Sequence, residues 1–256
     1  PLGYFRLRMW LLRRIMERSF RKADLTLFVS KWSKTILDKI TGPRPGLSVV
    51  VPHGFDGVFR QPVQDLPQIL TDLKYVLYVS KLDCYKAQLE VVRSWHKVVQ
   101  TGRFPERLLL VGSEYKPYGD RVRALIEKLE LDDHVRVMGP IDHSELPAYY
   151  QNATINIFAS SCEIGGSFIL LEALGAGRPV LCSNYPPMPE FGGDAVEYFD
   201  PYNPDELAEL LLKYLDDEEL CDRMGKKAFE HSFRYDWKES ATKTWNALAQ
   251  LIESRT

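Results

Sequence analysis

The sequence predicts an α/β protein built on a doubly wound parallel sheet. Short apolar runs rich in branched residues alternate with longer segments of helical periodicity, which is the rhythm of βαβ units. With 256 residues and 45% hydrophobic composition, the chain can bury one large core or two small ones. We therefore expect the alternating elements to form a layered globular structure.

Eight strands are predicted, with helices between them. The predicted strands are 25–30, 47–52, 75–80, 107–113, 134–139, 154–160, 179–184 and 195–199. The predicted helices are 31–40, 88–100, 120–130, 144–153, 167–176, 203–215 and the stretch from 217 to the end. Asn203 can cap one of these helices, and Pro204 suits its first turn. The strands from 75 to 199 are expected to form one doubly wound domain closed by the C-terminal helices.

The domain boundaries follow from this pattern. Residues 46–235 are expected to form the main domain, and residues 236–256 are expected to form a closing helix. Residues 1–45 offer one helix, one strand and one further helix, which cannot bury a useful core alone. We expect them to be the remnant of a preceding domain, and the chain to be a fragment of a longer protein.

The first predicted helix is basic and amphipathic. The segment YFRLRMWLLRRIMERSFRKAD carries many more arginines than acids, interleaved with large apolar residues. Such a helix can lie on an anionic membrane surface, which would place the protein at the inner face of the cell membrane. It can equally pack against another domain with its arginines in solvent. The sequence leaves both alternatives open.

Composition limits the possible functions. A net charge of −2 does not indicate a nucleic-acid-binding protein. Four scattered cysteines match neither a zinc site nor a disulfide scaffold, so a cytoplasmic setting is expected. The five histidines lack metal-ligand spacing, and each is expected to be an ordinary surface or loop histidine. No metal site is predicted.

Two lysines follow the predicted strand 75–80. Ligands bind beyond the carboxyl ends of the strands in an open parallel sheet, and Lys81 and Lys86 lie there. Two ammonium groups on such a loop suit a diphosphate, whose charge is spread over several oxygens. The alternative, which spacing alone favours, is that both are solvated surface lysines.

A glycine pair follows the predicted strand 154–160. Gly165 and Gly166 allow close approach of the backbone to a ligand, and Ser167 is placed to cap the next helix. The amide groups at that helix start, together with the helix dipole, predict an anion site.

Glu172 lies inside the apolar helix SFILLEALGA, and no Lys or Arg lies within one helical turn of it. A buried carboxylate needs hydrogen-bond donors, so the missing donor is expected to be a ligand. Phe168, Gly175 and Ala176 share its face, and the small residues would admit that ligand. The two hydroxyls of a ribose fit a carboxylate well. The alternative is a glutamate facing solvent.

The loop after the predicted strand 134–139 supplies a third set of candidates. The backbone at Met138, Gly139 and Pro140 could recognise the edge of a base without any particular side chain. A nicotinamide dehydrogenase is disfavoured, because no GxGxxG follows the first strand of the main domain.

The order of several segments resembles a known family. VPHGFD, VSKLDCYKA, VRVMGPIDHSELPAYYQNATINIFASSCEIGGSFILLEALGAGRPVLCSN and FDPYNPDELAELL together resemble the C-terminal half of retaining glycosyltransferases of the family 4 type. Those enzymes have the GT-B fold, which contains two Rossmann-like domains. The resemblance extends from about residue 25 to the end, where FRYDWKESATKTW resembles the family's crossover helix.

The resemblance implies a role for each candidate. Lys81 and Lys86 would hold the diphosphate of a nucleotide-sugar donor, with UDP or GDP as the nucleotide. Gly166, Ser167 and Phe168 would bring amides to the phosphate and sugar, and Glu172 would bind the ribose. Glu163 would contact the transferred sugar, so Glu163 and Lys86 are the catalytic candidates. No cofactor is implied, and the acceptor would be a glycan, a lipid-linked sugar or a polysaccharide.

Three departures from the family pattern qualify these roles. Position 81 is usually arginine in the family. The spacing between Glu163 and Glu172 is one residue longer than in the family, so Ile164 would align with the first glutamate if the loop has no bulge. The family's N-terminal acceptor domain is almost wholly missing from the sequence, so either the chain is a fragment, which we expect, or that domain is a separate chain. The longer spacing after Glu163 motivates the alternative function, a nucleotide-sugar-binding module without transfer activity.

Overall fold

The computed structural model describes residues 2–63, 67–163 and 166–254. In chain order the helices and strands are α1 (Leu2–Lys22), β1 (Leu25–Phe28), α2 (Lys31–Thr41), β2 (Leu47–Val50), β3 (Tyr75–Val79), α3 (Gln88–Gln100), β4 (Arg107–Val111), α4 (Tyr118–Lys128), β5 (Val135–Gly139), α5 (Leu146–Asn152), β6 (Ile155–Phe158), α6 (Phe168–Gly175), β7 (Val180–Ser183), α7 (Met188–Gly192), β8 (Glu197–Phe199), α8 (Pro204–Leu215), α9 (Glu218–Ser232) and α10 (Trp237–Glu253). Short 3-10 helices span Gly57–Arg60, Gln68–Leu70 and Cys84–Lys86. All eight predicted strands form.

The larger of two compact units contains a six-stranded parallel sheet. This unit comprises Phe55–Glu163 and Ser167–Arg234. Its strand order is β5-β4-β3-β6-β7-β8, and every neighbouring pair is parallel. The chain therefore builds one half of the sheet outward from β3 and then returns to build the other half from β6. This is the doubly wound arrangement, in which a ligand crevice opens where the strand order reverses.

The core of this unit explains why its strands read as continuous apolar runs. Every residue of β3, β6 and β7 is buried, because helices cover both faces of the sheet. The edge strand β5 is only partly buried. On α3, Trp95 is almost fully buried, and its indole N–H donates a 3.1 Å hydrogen bond to the carbonyl of His134.

The smaller unit comprises the residues up to Gly54 and from Tyr235 onward, together with Gly166. Its two strands, β1 and β2, form a parallel pair. The closing helix α10 packs against both strands. The Ser240 hydroxyl donates a 2.6 Å hydrogen bond to the Pro52 carbonyl, and the rings of His53 and Trp237 lie 6.1 Å apart.

The helical stretch predicted from residue 217 onward divides into two helices, the second of which coincides with the closing helix predicted at 236–256. α9 ends at Ser232, and α10 begins only at Trp237. Asp236 is the N-cap of α10, and its side chain accepts hydrogen bonds from the backbone amides of Lys238 and Glu239. A capping aspartate fixes the start of a new helix, so α10 is a helix separate from α9.

The predicted basic helix is present as α1, and its apolar side chains are exposed. Trp10 is 53% exposed and Ile15 is 64% exposed. Arg13 forms a 2.6 Å ion pair with Glu17, and Arg14 lies over the Trp10 ring. Contact with a membrane and packing against a further domain both stay predictions. Among the described residues, no helix combines the length and the apolar character that crossing a membrane requires.

A glycine at the end of β4 holds this strand close to β3. Gly112 has φ of 143°, and a Cβ at this position would lie 2.3 Å from the carbonyl oxygen of Ser80. We expect Gly112→Ala to lower the free energy of unfolding by about 3 kcal/mol, through backbone strain and overpacking. Denaturant unfolding beside Gly57→Ala, whose added methyl meets open space, measures this effect. Equal stability of the two variants would contradict the expectation.

Candidate functional site

The loops that follow β3 and β6 meet where the strand order reverses. The backbone amide of Ser161 donates a 2.7 Å hydrogen bond to the carbonyl of Tyr85, and the Ser161 hydroxyl donates to the same oxygen at 3.1 Å. One carbonyl thus ties the two loops together. Side chains from either loop are consequently held at the mouth of the crevice.

Lys86 and Glu163 form a buried ion pair at this position. Lys86 is only 5% exposed, and its ammonium group contacts the carboxylate of Glu163. The Ser160 hydroxyl donates a 2.9 Å hydrogen bond to the same carboxylate oxygen. The carbonyl of Lys86 accepts a 2.7 Å hydrogen bond from the buried Tyr78 hydroxyl. The alternative that Lys86 is a solvated surface lysine is therefore excluded.

Lys81 lies at the exposed side of the same loop. Its ammonium group is 3.0 Å from the carboxylate of Asp83, and half of its side chain is exposed. Hydrogen bonding to Asp83, and then to Tyr85, raises the pKa of Lys81. The ammonium groups of Lys81 and Lys86 lie 5.2 Å and 5.0 Å from the centroid of the same Tyr85 ring. The structure thus brings together the two cations that the sequence predicts at this edge.

Glu172 is buried on α6, so the alternative of a glutamate facing solvent is wrong. It is 7% exposed, and its carboxylate lies 3.0 Å from His143 Nε2 and 3.5 Å from the Tyr150 hydroxyl. Burial raises the pKa of Glu172, and the hydrogen bond with His143 partly offsets this effect. The expectation that the missing donor is a ligand is also corrected, because two side chains of the protein contact this carboxylate.

His143 is a site residue that sequence spacing does not reveal. It lies in the loop between β5 and α5, 29 positions before Glu172. Its ring meets Phe59 edge-on at 5.2 Å, and Phe59 meets Tyr150 edge-on at 5.8 Å. A histidine in a loop carries no periodic signal. Its partner becomes evident only once α6 is placed beside this loop.

Gly175, one helical turn after Glu172, does not make room for a ligand. A Cβ at Gly175 would lie 2.6 Å from the ring of Phe55 and 3.4 Å from Phe59. The close approach at Gly175 is therefore made by protein, and this part of the prediction is wrong. At the other end of α6, Phe168 is 45% exposed.

The glycine loop before α6 is described only in part. Gly165 and Ile164 lie outside the described residues. Gly166 has φ of 91°, a conformation that glycine adopts readily. Ser167 occupies the N-cap position of α6, but its side chain forms no capping hydrogen bond. The predicted capping role of Ser167 is therefore wrong, although the predicted start of the helix is correct.

The backbone at the end of β5 is irregular. Leu110 pairs with Val137 and Val111 pairs with Gly139, so Met138 is an extra residue in the ladder. Gly139 has φ of 72°, and its carbonyl accepts a 2.8 Å hydrogen bond from the amide of Gly112. The exposed Pro140 follows, and the loop then continues to His143. A role of this backbone in base recognition stays a prediction.

The site as a whole offers cations, carboxylates and a helix start. Lys81 and Lys86 can bind a dianion, and the N-terminal end of α6 adds a positive dipole. The Glu172 carboxylate can accept hydroxyl groups. Within the part of the chain that the structure describes, no group of three or more His, Cys, Asp or Glu residues is placed to hold a metal ion.

Two curated relatives show sequence similarity to this chain. The chain is 26% identical over 250 residues to the O-antigen chain mannosyltransferase B of Escherichia coli, covering 93% of the chain and 65% of the relative. It is 27% identical over 212 residues to the D-inositol 3-phosphate glycosyltransferase of Corynebacterium glutamicum (strain R), covering 80% of the chain and 50% of the relative. The chain thus spans between half and two thirds of these relatives.

A solved structure and a family model also match this chain. The Anabaena protein HepE in complex with UDP and glucose superposes with a TM-score of 0.82 at 19% identity, over 93% of this chain and 66% of that one. The predicted fold class, a doubly wound Rossmann-like sheet from the C-terminal half of a GT-B fold, is confirmed. The family model of the group 1 glycosyl transferases matches residues 62–231, more than half of the chain. This chain belongs to the group 1 glycosyltransferases.

Proposed function

We propose that this protein transfers a sugar from a nucleoside diphosphate sugar to a glycan, a lipid-linked sugar or a polysaccharide, with retention of configuration at the sugar carbon. UDP or GDP is the proposed nucleotide, and family 4 is the proposed class. One observation carries the proposal. Two ammonium groups, from Lys81 and the buried Lys86, share the Tyr85 ring at the point where the strand order reverses.

The names of similar proteins support the same class of donor. HepE was solved with UDP and glucose, and the E. coli relative is named as a mannosyltransferase. A diphosphate carries its charge on several oxygens, which suits two separate cations better than one. Glu172 then supplies the acceptor atoms for the ribose hydroxyls.

In the proposed reaction, the bond between the anomeric carbon and the diphosphate oxygen breaks, and the electron pair goes to the diphosphate. The acceptor oxygen bonds to the face that the diphosphate leaves, and the acceptor proton passes to the departing phosphate. Lys81, Lys86 and the start of α6 stabilise the developing negative charge, without a metal cofactor. Glu163, held by Ser160, faces the transferred sugar.

The remaining proposed partners are the acceptor and an N-terminal acceptor-binding domain. The smaller unit supports such a domain contact, because it has an apolar groove on its surface. The groove is lined by Met16, Phe20, Leu27, Trp32 and Ile36. A partner domain would cover this apolar surface, as would a membrane.

The alternative function is a module that binds the donor but does not transfer sugar. The observation that favours it is the extra residue between Glu163 and Glu172, compared with the family spacing. The two functions differ in a single readout, because both require donor binding and only one yields a product.

We expect UDP-sugars or GDP-sugars to raise the thermal unfolding midpoint of the intact protein, since ligands that bind the native state stabilise it. The shift should persist in the presence of a chelator. NMR of the product formed with a glycan acceptor should show an unchanged anomeric configuration. A shift with NAD and none with any nucleoside diphosphate would contradict the proposal. Donor binding without product in the intact protein would favour the binding module.

A further inference from the structure

The Glu172 carboxylate depends on one strong hydrogen-bond partner among the described residues. His143 Nε2 lies 3.0 Å from Oε1, whereas the Tyr150 hydroxyl lies 3.5 Å from Oε2, at the limit of hydrogen bonding. A carboxylate that is 7% exposed gains little from water. The state of Glu172 therefore depends on His143 more than on any other described group.

His143 is held in place while its ring stays accessible to solvent. The ring packs edge-on against the fully buried Phe59, which fixes its orientation. Yet 60% of the His143 side chain is exposed, so the imidazole can exchange protons with water. A ring held in this way keeps Nε2 directed at the Glu172 carboxylate.

Few other charges act on the Glu172 carboxyl. Burial is the largest influence and disfavours its ionised form. His143 and then Tyr150 favour ionisation, whereas the charge of Asp56 opposes it. Arg60, in the adjacent 3-10 helix, donates instead to the hydroxyl and carbonyl oxygens of Ser232.

Among the described residues, no lysine or arginine is a main influence on the Glu172 carboxyl, although α9, which packs against α6, carries Arg223, Lys226 and Lys227. α6 has no ionisable side chain besides Glu172. Asp142 and Glu145 flank His143 in the sequence, and both are acidic. His143 is therefore the main described group that favours ionisation of Glu172.

From this geometry we propose that His143 is a positioning residue of the donor site, which keeps Glu172 ionised and oriented to accept the ribose hydroxyls of a nucleoside diphosphate sugar. The inference rests on the proposed function, in which Glu172 binds the donor. Without the imidazole, only the longer contact with Tyr150 opposes the effect of burial, and the Glu172 carboxyl takes up a proton at a higher pH. A protonated carboxyl loses acceptor capacity, so donor affinity falls on the acid side.

Calorimetric titration of the intact protein with UDP-glucose and GDP-mannose as probes tests this role. Both probes carry diphosphate diesters, which stay fully ionised across the pH range used. We expect the wild type to bind its preferred probe with similar affinity at about pH 8 and about pH 6. His143→Phe should bind about tenfold more weakly at the lower pH, and His143→Gln, which keeps a hydrogen-bond donor, should show a smaller loss.

Two further variants separate this role from general effects. Glu172→Gln should bind weakly, with no dependence on pH in this range. His134→Gln, at the amino end of β5 and so away from the site loops, should match the wild type. Thermal unfolding midpoints identify any His143 variant that fails to fold. If one of the two His143 variants fails, the affinity of the other one tests the positioning role.

The outcomes distinguish this inference from the function on which it rests. A loss in the His143 variants that is equal at both pH values, or no loss at all, overturns the positioning role. In that case the proposed function still stands if Glu172→Gln binds weakly. If the wild type binds neither probe at either pH, both the proposed function and this inference are overturned.

Discussion

Lys86→Met is expected to abolish most sugar transfer and to destabilise the fold. The substitution removes a cation that would stabilise the leaving diphosphate, and we expect the rate of transfer to fall by about 100- to 1000-fold. It also leaves the Glu163 carboxylate without its charged partner. Breaking a buried pair costs about 3–5 kcal/mol, and the low end applies here because the Glu163 side chain is 17% exposed. Steady-state kinetics and denaturant unfolding measure the two effects.

A double variant separates the two roles of Lys86. Lys86→Met combined with Glu163→Gln removes both charges, so it should recover much of the lost stability while transfer stays low. Lys227→Met is a matched control, because Lys227 pairs with Asp194 at 2.9 Å on the exposed surface. That variant should change stability by about 1 kcal/mol or less. If Lys86→Met resembled this control in both measurements, Lys86 would have no place in the site.

The fold could be predicted from the sequence because its information is local. A run such as YVLYV, buried on both faces in β3, has a composition that parallel strands require. The Asn203 cap was also predictable, and its side chain accepts hydrogen bonds from the amides of Asp205 and Glu206. The end of α9 at Ser232 was not predictable, since two helical segments can follow each other without a change in composition.

The site could be predicted only as far as topology determines it. Lys81 and Lys86 are predictable because they follow a strand, and parallel strands place their following loops at one edge, whereas Glu163 is indicated only by the family resemblance. The pairing of Lys86 with Glu163 spans 77 positions and has no sequence signature. The same holds for His143 and Glu172. Which donor reaches a buried carboxylate is a property of packing between elements, and neither periodicity nor spacing records it.

Glu172→Gln is expected to weaken donor binding and, at the same time, to leave the fold as stable as before or more stable at neutral pH. Losing a hydrogen bond to a charged group costs about 1.5–3 kcal/mol, which is about 10- to 150-fold in affinity. Glutamine keeps the shape of the side chain, so packing around α6 should not change. Calorimetry with a nucleoside diphosphate and denaturant unfolding give the two quantities.

The stability effect follows from the raised pKa of Glu172. Burial raises this pKa above its ordinary value of 4.5, so the folded protein binds a proton more readily than the unfolded chain does. The stability gained from this tighter proton binding is fully present below the ordinary pKa of Glu172. It is lost as the pH rises through the raised pKa. At neutral pH the wild type therefore bears the cost of a buried charge that the glutamine variant avoids. The difference in the free energy of unfolding between the two proteins should shrink on acidification. If Glu172→Gln is less stable than the wild type at neutral pH, the carboxylate stabilises the fold through its bond with His143. If the variant binds the donor more weakly and is no less stable, the carboxylate functions in donor binding.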